Sequence, residues 1–187
     1  MTQEEIFELI SEVRFHQSEL NDIEVKSANK GTPQRLFEPL SAFTNSITGG
    51  VILFGLNETN NFEIVGVADV HRLQEEISNL ASAEMEPPIR PSFALAEIEG
   101  KTVLAVEIFP LPSEQKPCYY KPAGLHKGSY IRVGNTNRQM TDYEIFGYVS
   151  ARTQPTFDEE HVAKASIDDL NRNSLEKYIA LLRKIRP

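Results

Sequence analysis

Two hydrophobic periods alternate along this chain, and the switches between them mark its elements. Within residues 3–13, Ile6, Leu9, Ile10 and Val13 recur at helical spacing with Glu residues on the other face, which predicts a short amphipathic helix. Asn21-Asp22-Ile23-Glu24-Val25-Lys26 alternates polar and apolar, the period of a half-buried strand. Residues 34–46 carry Leu36, Phe37, Leu40 and Phe43 on one helical face, with Thr32 as cap and Pro33 at the first helical position. Gly49-Gly50 closes that helix. Residues 51–56 then form an uninterrupted apolar run, expected of a strand buried on both faces and central in its sheet. The polar loop 57–61 returns the chain into 62–67 as a hairpin.

Further along, residues 70–83 read as a second amphipathic helix ending near Pro87-Pro88. Segments 92–98 and 102–109 flank Glu99-Gly100-Lys101, a second hairpin. Short strands at 118–121 and 129–133 follow a Pro-rich stretch, Thr141 caps a helix over 143–150, and 173–186 is helical. The layout is α+β, a mixed, mainly antiparallel sheet with hairpins and packed helices. We expect a single domain over residues 1–152, then an extended linker and C-terminal helix over 153–187 leading to further C-terminal domains.

Composition narrows the class. Hydrophobic residues make up 40 %, enough for a packed core. No apolar run approaches the roughly 20 residues of a membrane span, and Met1-Thr2-Gln3-Glu4-Glu5 lacks the basic-then-apolar order of a signal peptide. We expect a cytoplasmic protein without a membrane partner. The single Cys118 can supply neither an internal disulfide nor a zinc-thiolate cluster, and is expected to be buried. The net charge of −8 argues against indiscriminate affinity for nucleic acid, but the charge is unevenly spread. Residues 1–24 hold seven carboxylates against one Arg, whereas 116–140 hold Lys116, Lys121, Lys127, Arg132 and Arg138 with no carboxylate.

Two stretches carry candidate chemistry. On a strand, Asp22, Glu24 and Lys26 project from one face, and carboxylates beside a lysine suit a Mg²⁺- or Mn²⁺-dependent phosphodiesterase as readily as a solvated surface. Between residues 116 and 140, Tyr119, Tyr120 and Tyr130 interleave with the five cations, so aromatics could stack bases while cations hold phosphates. Packing within the sheet is the competing role for these tyrosines, and an internal salt bridge is the competing role for Arg132. No G-x-x-x-x-G-K-[S/T] occurs, which argues against a P-loop ATPase.

Taken in order, Ser18-Glu19-Leu20-Asn21-Asp22-Ile23-Glu24-Val25-Lys26, residues 41–58 with Ser41-Ala42-Phe43-Thr44-Asn45, Gly49-Gly50 and Asn57-Glu58, the return segment Ile64-Val65-Gly66-Val67 and Gly128-Ser129-Tyr130-Ile131-Arg132-Val133-Gly134 resemble the Schlafen-type AlbA domain. The resemblance implies a nucleic-acid-binding domain, DNA or RNA, of a bacterial transcriptional regulator. It also implies a relationship to animal Schlafen endoribonucleases. Their three acids fall here on Glu19, Glu24 and Glu58, with Lys26 nearby, as catalytic and metal-binding candidates for Mg²⁺ or Mn²⁺. Asn57-Glu58 departs from the family's usual Asp-Asp. Because animal members join two similar lobes, the resemblance further implies a homodimer. Three classes thus remain open: a binding module contacting nucleic acid through Lys116, Lys121, Lys127, Arg132, Arg138, Tyr119 and Tyr120; a metal-dependent endoribonuclease; and a nucleotide-responsive or oligomerising scaffold.

Overall fold

A computed structural model describes residues 1–152 and 171–185. The chain forms two compact units, Met1–Thr153 and Gln154–Pro187. In the first, α1 (Gln3–His16) starts at a capping box formed by Thr2 and Glu5. A four-stranded sheet follows in the order β1-β2-β7-β6, from β1 (Ile23–Lys26), β2 (Gly50–Phe54), β6 (Ser92–Ile98) and β7 (Lys101–Ile108). β1 runs parallel to β2, and the other pairs are antiparallel.

Because side chains alternate along each strand, this sheet builds a core on both faces. Ile23, Val25, Leu53, Val103 and Ala105 pack with Ile6, Ile10 and Val13 of α1. On the other face, Ile52, Phe54, Leu104, Val106 and Ile108 pack under α2 (Phe37–Asn45) and α3 (Val70–Asn79). α1 lies on one face and α2 with α3 on the other, so the apolar run over 51–56 is explained by a central strand covered from both sides.

Several boundaries shift from the sequence expectation. The helix expected from residue 34 begins at Phe37, because Arg35 has φ +59, a left-handed conformation that a right-handed helix cannot contain. Thr32 is therefore no cap; its hydroxyl lies near Glu76 of α3 and lowers that carboxyl's pKa. The apolar run also divides at Gly55 (φ +104), whose carbonyl accepts from both Val65 and Gly66 at 2.8 and 2.9 Å. The expected hairpin shrinks to β3 (Leu56–Asn57) against β4 (Glu63–Ile64), and β2 takes β1 and β7 as its sheet neighbours. α3 widens into a π turn over Leu80–Glu84 before β5 (Met85–Glu86), which pairs with β8 (Tyr119–Tyr120).

After β8 come the short α4 (Gly124–Gly128) and a hairpin of β9 (Tyr130–Val133) with β10 (Thr136–Gln139). Neither α4 nor β10 is evident from periodicity. α5 (Asp142–Ala151) opens at the Thr141 cap, where Glu144 completes a capping box. In the second unit, α6 (Arg172–Ile185) leaves Tyr178 and Leu181 exposed. The linker expected from residue 153 to the start of α6 lies outside the described residues. No helix among the described residues is long and apolar enough to cross a membrane.

Candidate nucleic-acid interface

The acidic strand pattern and the basic stretch meet at the free edge of β1. Glu24 is buried, on the face that looks toward α2. Its Oε1 accepts from Lys26 Nζ at 2.6 Å, and its Oε2 accepts from Arg132 Nη1 at 2.5 Å and Asn137 Nδ2 at 3.1 Å. Arg132 reaches in from β9 and spends its donors on backbone: Nε on the Asn21 carbonyl at 3.1 Å, Nη2 on Leu20 at 3.1 Å and on Ile23 at 2.8 Å. Its guanidinium also lies 5.0 Å from the centre of the Phe43 ring. Glu19 closes the same edge from the other side, its Oε1 accepting from the Val25 N–H at 2.7 Å. Burial and the neighbouring Glu24 push the Glu19 carboxyl up to about 7. The Val25 N–H and Lys26 pull it down, and Glu58 adds a further upward push.

This donor set does not fit a divalent metal. Among the described residues, no group of three or more His, Cys, Asp or Glu side chains is placed to hold one. Glu24 already has a cation on each oxygen, and Glu19 holds a backbone N–H. Glu58 is exposed in the loop, where the preceding Asn57 accepts from Thr59 N and Oγ1 at 3.2 and 2.9 Å. Glu19 and Glu24 instead take part in hydrogen bonds and ion pairs with Arg132, Lys26 and Val25 that stitch β9 to β1, and Glu58 stands near enough to raise the Glu19 carboxyl.

The remaining motif residues join the fold in the same way. Ser41 Oγ donates to the Cys118 carbonyl at 2.7 Å and accepts from Tyr130 N at 2.9 Å. Asn45 Nδ2 donates to the Cys118 and Tyr130 carbonyls at 2.9 and 3.0 Å, while its Oδ1 accepts from Cys118 N at 2.7 Å. One turn of α2 thereby holds β8 and β9 without an unsatisfied polar atom. A Cβ at Gly50 would come within 2.3 Å of the Phe43 ring, and one at Gly128 within 2.4 Å of the Tyr120 carbonyl. The S-A-F-x-N, G-G and G-x-Y-x-R segments are therefore one interlocking set. A Schlafen, AlbA_2 family model matches residues 19–141, the span this set occupies. The chain belongs to the Schlafen AlbA_2 family.

Among solved structures, this Schlafen AlbA_2 chain is similar to the N-terminal domain of a protein from Nitrosomonas europaea described as related to the ATP-dependent DNA helicase RecG. The two are 26 % identical with a TM-score of 0.56, over 72 % of this chain and 92 % of that one. It is also similar in fold to the DIP2311 protein of Corynebacterium diphtheriae, 20 % identical with a TM-score of 0.50. That match covers 89 % of this chain and 30 % of the longer one. No curated protein matches the chain.

The basic stretch of this AlbA_2 domain divides into inward and outward cations. Arg132 is inward, and so is Lys116, whose Nζ donates to the Ser46 carbonyl at 2.6 Å and whose pKa burial lowers. Neither is available to a phosphate. Tyr120 stacks on Phe37 with ring centres 4.3 Å apart, and both Tyr119 and Tyr120 are half-buried. Lys127 and Arg138 are exposed, as is Lys121, whose nearest carboxylate is Glu86 at 3.9 Å. Cys118 is fully buried, and burial with nearby Glu86 pushes its thiol up to about 12, consistent with a structural role.

An open groove of about 650 Å³ runs between the start of α2 and the β9–β10 hairpin. Arg35, Glu38, Tyr130, Asn137, Arg138 and Gln139 line it with Val133 and Thr136. Arg35 pairs with Glu38 and Arg138 with Glu144, and each guanidinium has N–H donors to spare. Gln139 Nε2 bonds the His126 carbonyl at 3.0 Å, which sets Lys127 beside the groove wall. Asn137 is shared: it lines the groove and also bonds Glu24 and Arg132. Arg35, Asn137 and Gln139 escaped the sequence reading. Arg35 looked like one more position in a helix, and β10 has no apolar alternation to reveal it.

Proposed function

We propose that this AlbA_2 domain binds nucleic acid through the groove between Arg35 and Arg138, with Lys127 at its rim and Lys121 further along the same stretch. The observation that carries the reading is the separation of the cations. Arg132 and Lys116 are consumed inside the fold, while the exposed Arg35 and Arg138 line an open groove. Guanidinium N–H groups suit phosphate oxygens, and the amides of Asn137 and Gln139 offer donors and acceptors to sugar or base edges. The acidic excess concentrates on α1 and beyond β6, at the opposite edge of the sheet from the Arg132 cluster. In a chain of net charge −8, this arrangement keeps those carboxylates away from the exposed cations of residues 116–140. The similarity to a RecG-related domain supports the same class.

We extend the proposal to a role within a cytoplasmic transcriptional regulator acting as a homodimer. Tyr143, Phe146 and Val149 of α5 are exposed, an apolar strip that a second copy would cover. The test is fluorescence anisotropy with a labelled RNA hairpin and a DNA duplex between about 50 and 200 mM salt. Binding that weakens steeply with salt supports the proposal, and absence of binding to both at low salt refutes it.

A further inference from the structure

The two edges of the sheet are treated differently. At β1, Glu19 takes the Val25 N–H and Arg132 takes the Ile23 carbonyl, so the outward backbone is closed. At the other edge, β6 pairs only with β7 among the described residues. Their turn, Glu99-Gly100, has φ +54 and +70, the conformation of a two-residue hairpin whose closing pair exchanges both hydrogen bonds. Alternation from Ile98 then points the backbone groups of Phe93, Leu95 and Glu97 away from β7. The Gln3 side chain confirms the direction by donating to the Glu97 carbonyl at 3.1 Å. Among the described residues nothing bonds the outward backbone of Phe93 or Leu95.

Beside this open edge lies a groove of about 600 Å³ between α1 and the end of β6. Phe7 gives it an apolar floor, exposed by 56 %, and Leu95 on the strand is 50 % exposed. Glu4, Glu8 and Glu97 have no cationic partner among the described residues, while Glu99 pairs with Arg14 at 3.2 Å. We propose that the β6 edge and this groove form a docking strip for an extended, cationic segment of a partner protein, held by strand addition. The backbone of Phe93 and Leu95, with the N–H of Glu97, supplies the hydrogen bonds, the Glu97 carbonyl being held by Gln3. An added strand alternates its side chains between the two faces: Lys or Arg meets Glu4 and Glu8 on the α1 face, its stem lying on Phe7, and apolar side chains meet Leu95 on the other face. A second copy of this chain is the poorer occupant, because it would set the same carboxylates against each other. Nucleic acid is repelled by them.

The test uses the full chain and two end-blocked peptides of about eight residues, the span of a typical strand. One alternates Lys with Val and the other Glu with Val. Calorimetric titration is expected to show binding of the Lys peptide alone, weakened about tenfold or more in Glu4→Lys/Glu8→Lys, whose substitutions sit on an exposed helix face. Amide hydrogen exchange is expected to slow at Phe93, Leu95 and Glu97 on binding. Equal affinity for both peptides, affinity unchanged by the charge reversal, or protection elsewhere would each overturn the proposal. So would self-association through β6 that excludes the Lys peptide.

Discussion

Arg132 Nη1 and Glu24 Oε2 lie 2.5 Å apart although their residues are 108 positions apart in sequence, and both side chains are under a tenth exposed. This ion pair joins the β9–β10 hairpin to the edge of the main sheet. It persists in a low-dielectric setting because the remaining donors and acceptors of both groups are satisfied: Lys26 and Asn137 complete Glu24, and three carbonyls complete Arg132.

Removing one partner should therefore cost far more than a surface pair would. Arg132→Ala is expected to lower stability by about 3–5 kcal/mol, because Glu24 is left buried without the guanidinium, with Lys26 and the Asn137 amide as its remaining partners. Glu24→Gln should be destabilising as well, and the Arg132→Ala/Glu24→Gln double variant should lose less than the sum of the two. Urea unfolding checks this; additive losses, or a loss below about 1 kcal/mol for Arg132→Ala, would show that the pair is not coupled.

Glu19 gives the fold a pH dependence of defined sign. Its carboxyl titrates near 7 in the folded chain against 4.5 for an ordinary carboxyl. The folded state therefore holds the extra proton between these values, and the contribution is full below pH 4.5 and is lost as pH rises to about 7. Allowing for solvent screening, the loss is of the order of 1–2 kcal/mol. Glu19→Gln should flatten that segment of the stability profile, which unfolding at a series of pH values would reveal; an unchanged slope would contradict the assignment.

Because Glu24 and Glu19 are already engaged, divalent cations should not stabilise the protein through them. Thermal unfolding with and without millimolar Mn²⁺ or Mg²⁺ is expected to give the same midpoint. A rise in Tm that disappears in Glu24→Gln would restore the metal site.

The close approach of Gly50 to Phe43 predicts another loss. Gly50→Ala would force a Cβ to within 2.3 Å of the ring of a fully buried residue, and overpacking of this kind costs about 1–3 kcal/mol. Phe43→Leu in the same chain should recover part of it, since the smaller side chain vacates the space. The reading fails if Gly50→Ala unfolds like the parent.

Local chemistry explains which parts were legible in the sequence. The β6–β7 hairpin shows because Glu99-Gly100 suits a tight turn between two largely apolar segments of strand length, and α5 shows because Thr141 and Glu144 form a capping box within three residues. The start of α2 was misplaced because Thr32-Pro33 is a good helix opening that Arg35 overrides with its left-handed φ. The inward cations were hidden for a different reason. Residues 116–140 contain no carboxylate, so the sequence left Arg132 between a phosphate contact and an internal salt bridge; its partners come from β1 and the segment before it. Lys116 likewise finds a carbonyl 70 positions away. Only tertiary structure separates such cations from those that border the groove.

The most direct test of the nucleic-acid reading compares the salt dependence of binding in the parent and in Arg35→Ala/Lys127→Ala/Arg138→Ala. All three side chains are exposed, so the variant should fold normally. Three lost phosphate contacts should weaken affinity and reduce the slope of log K against log salt by about three units for duplex DNA. A folded triple variant with the parent's affinity and slope would remove the groove from the interface.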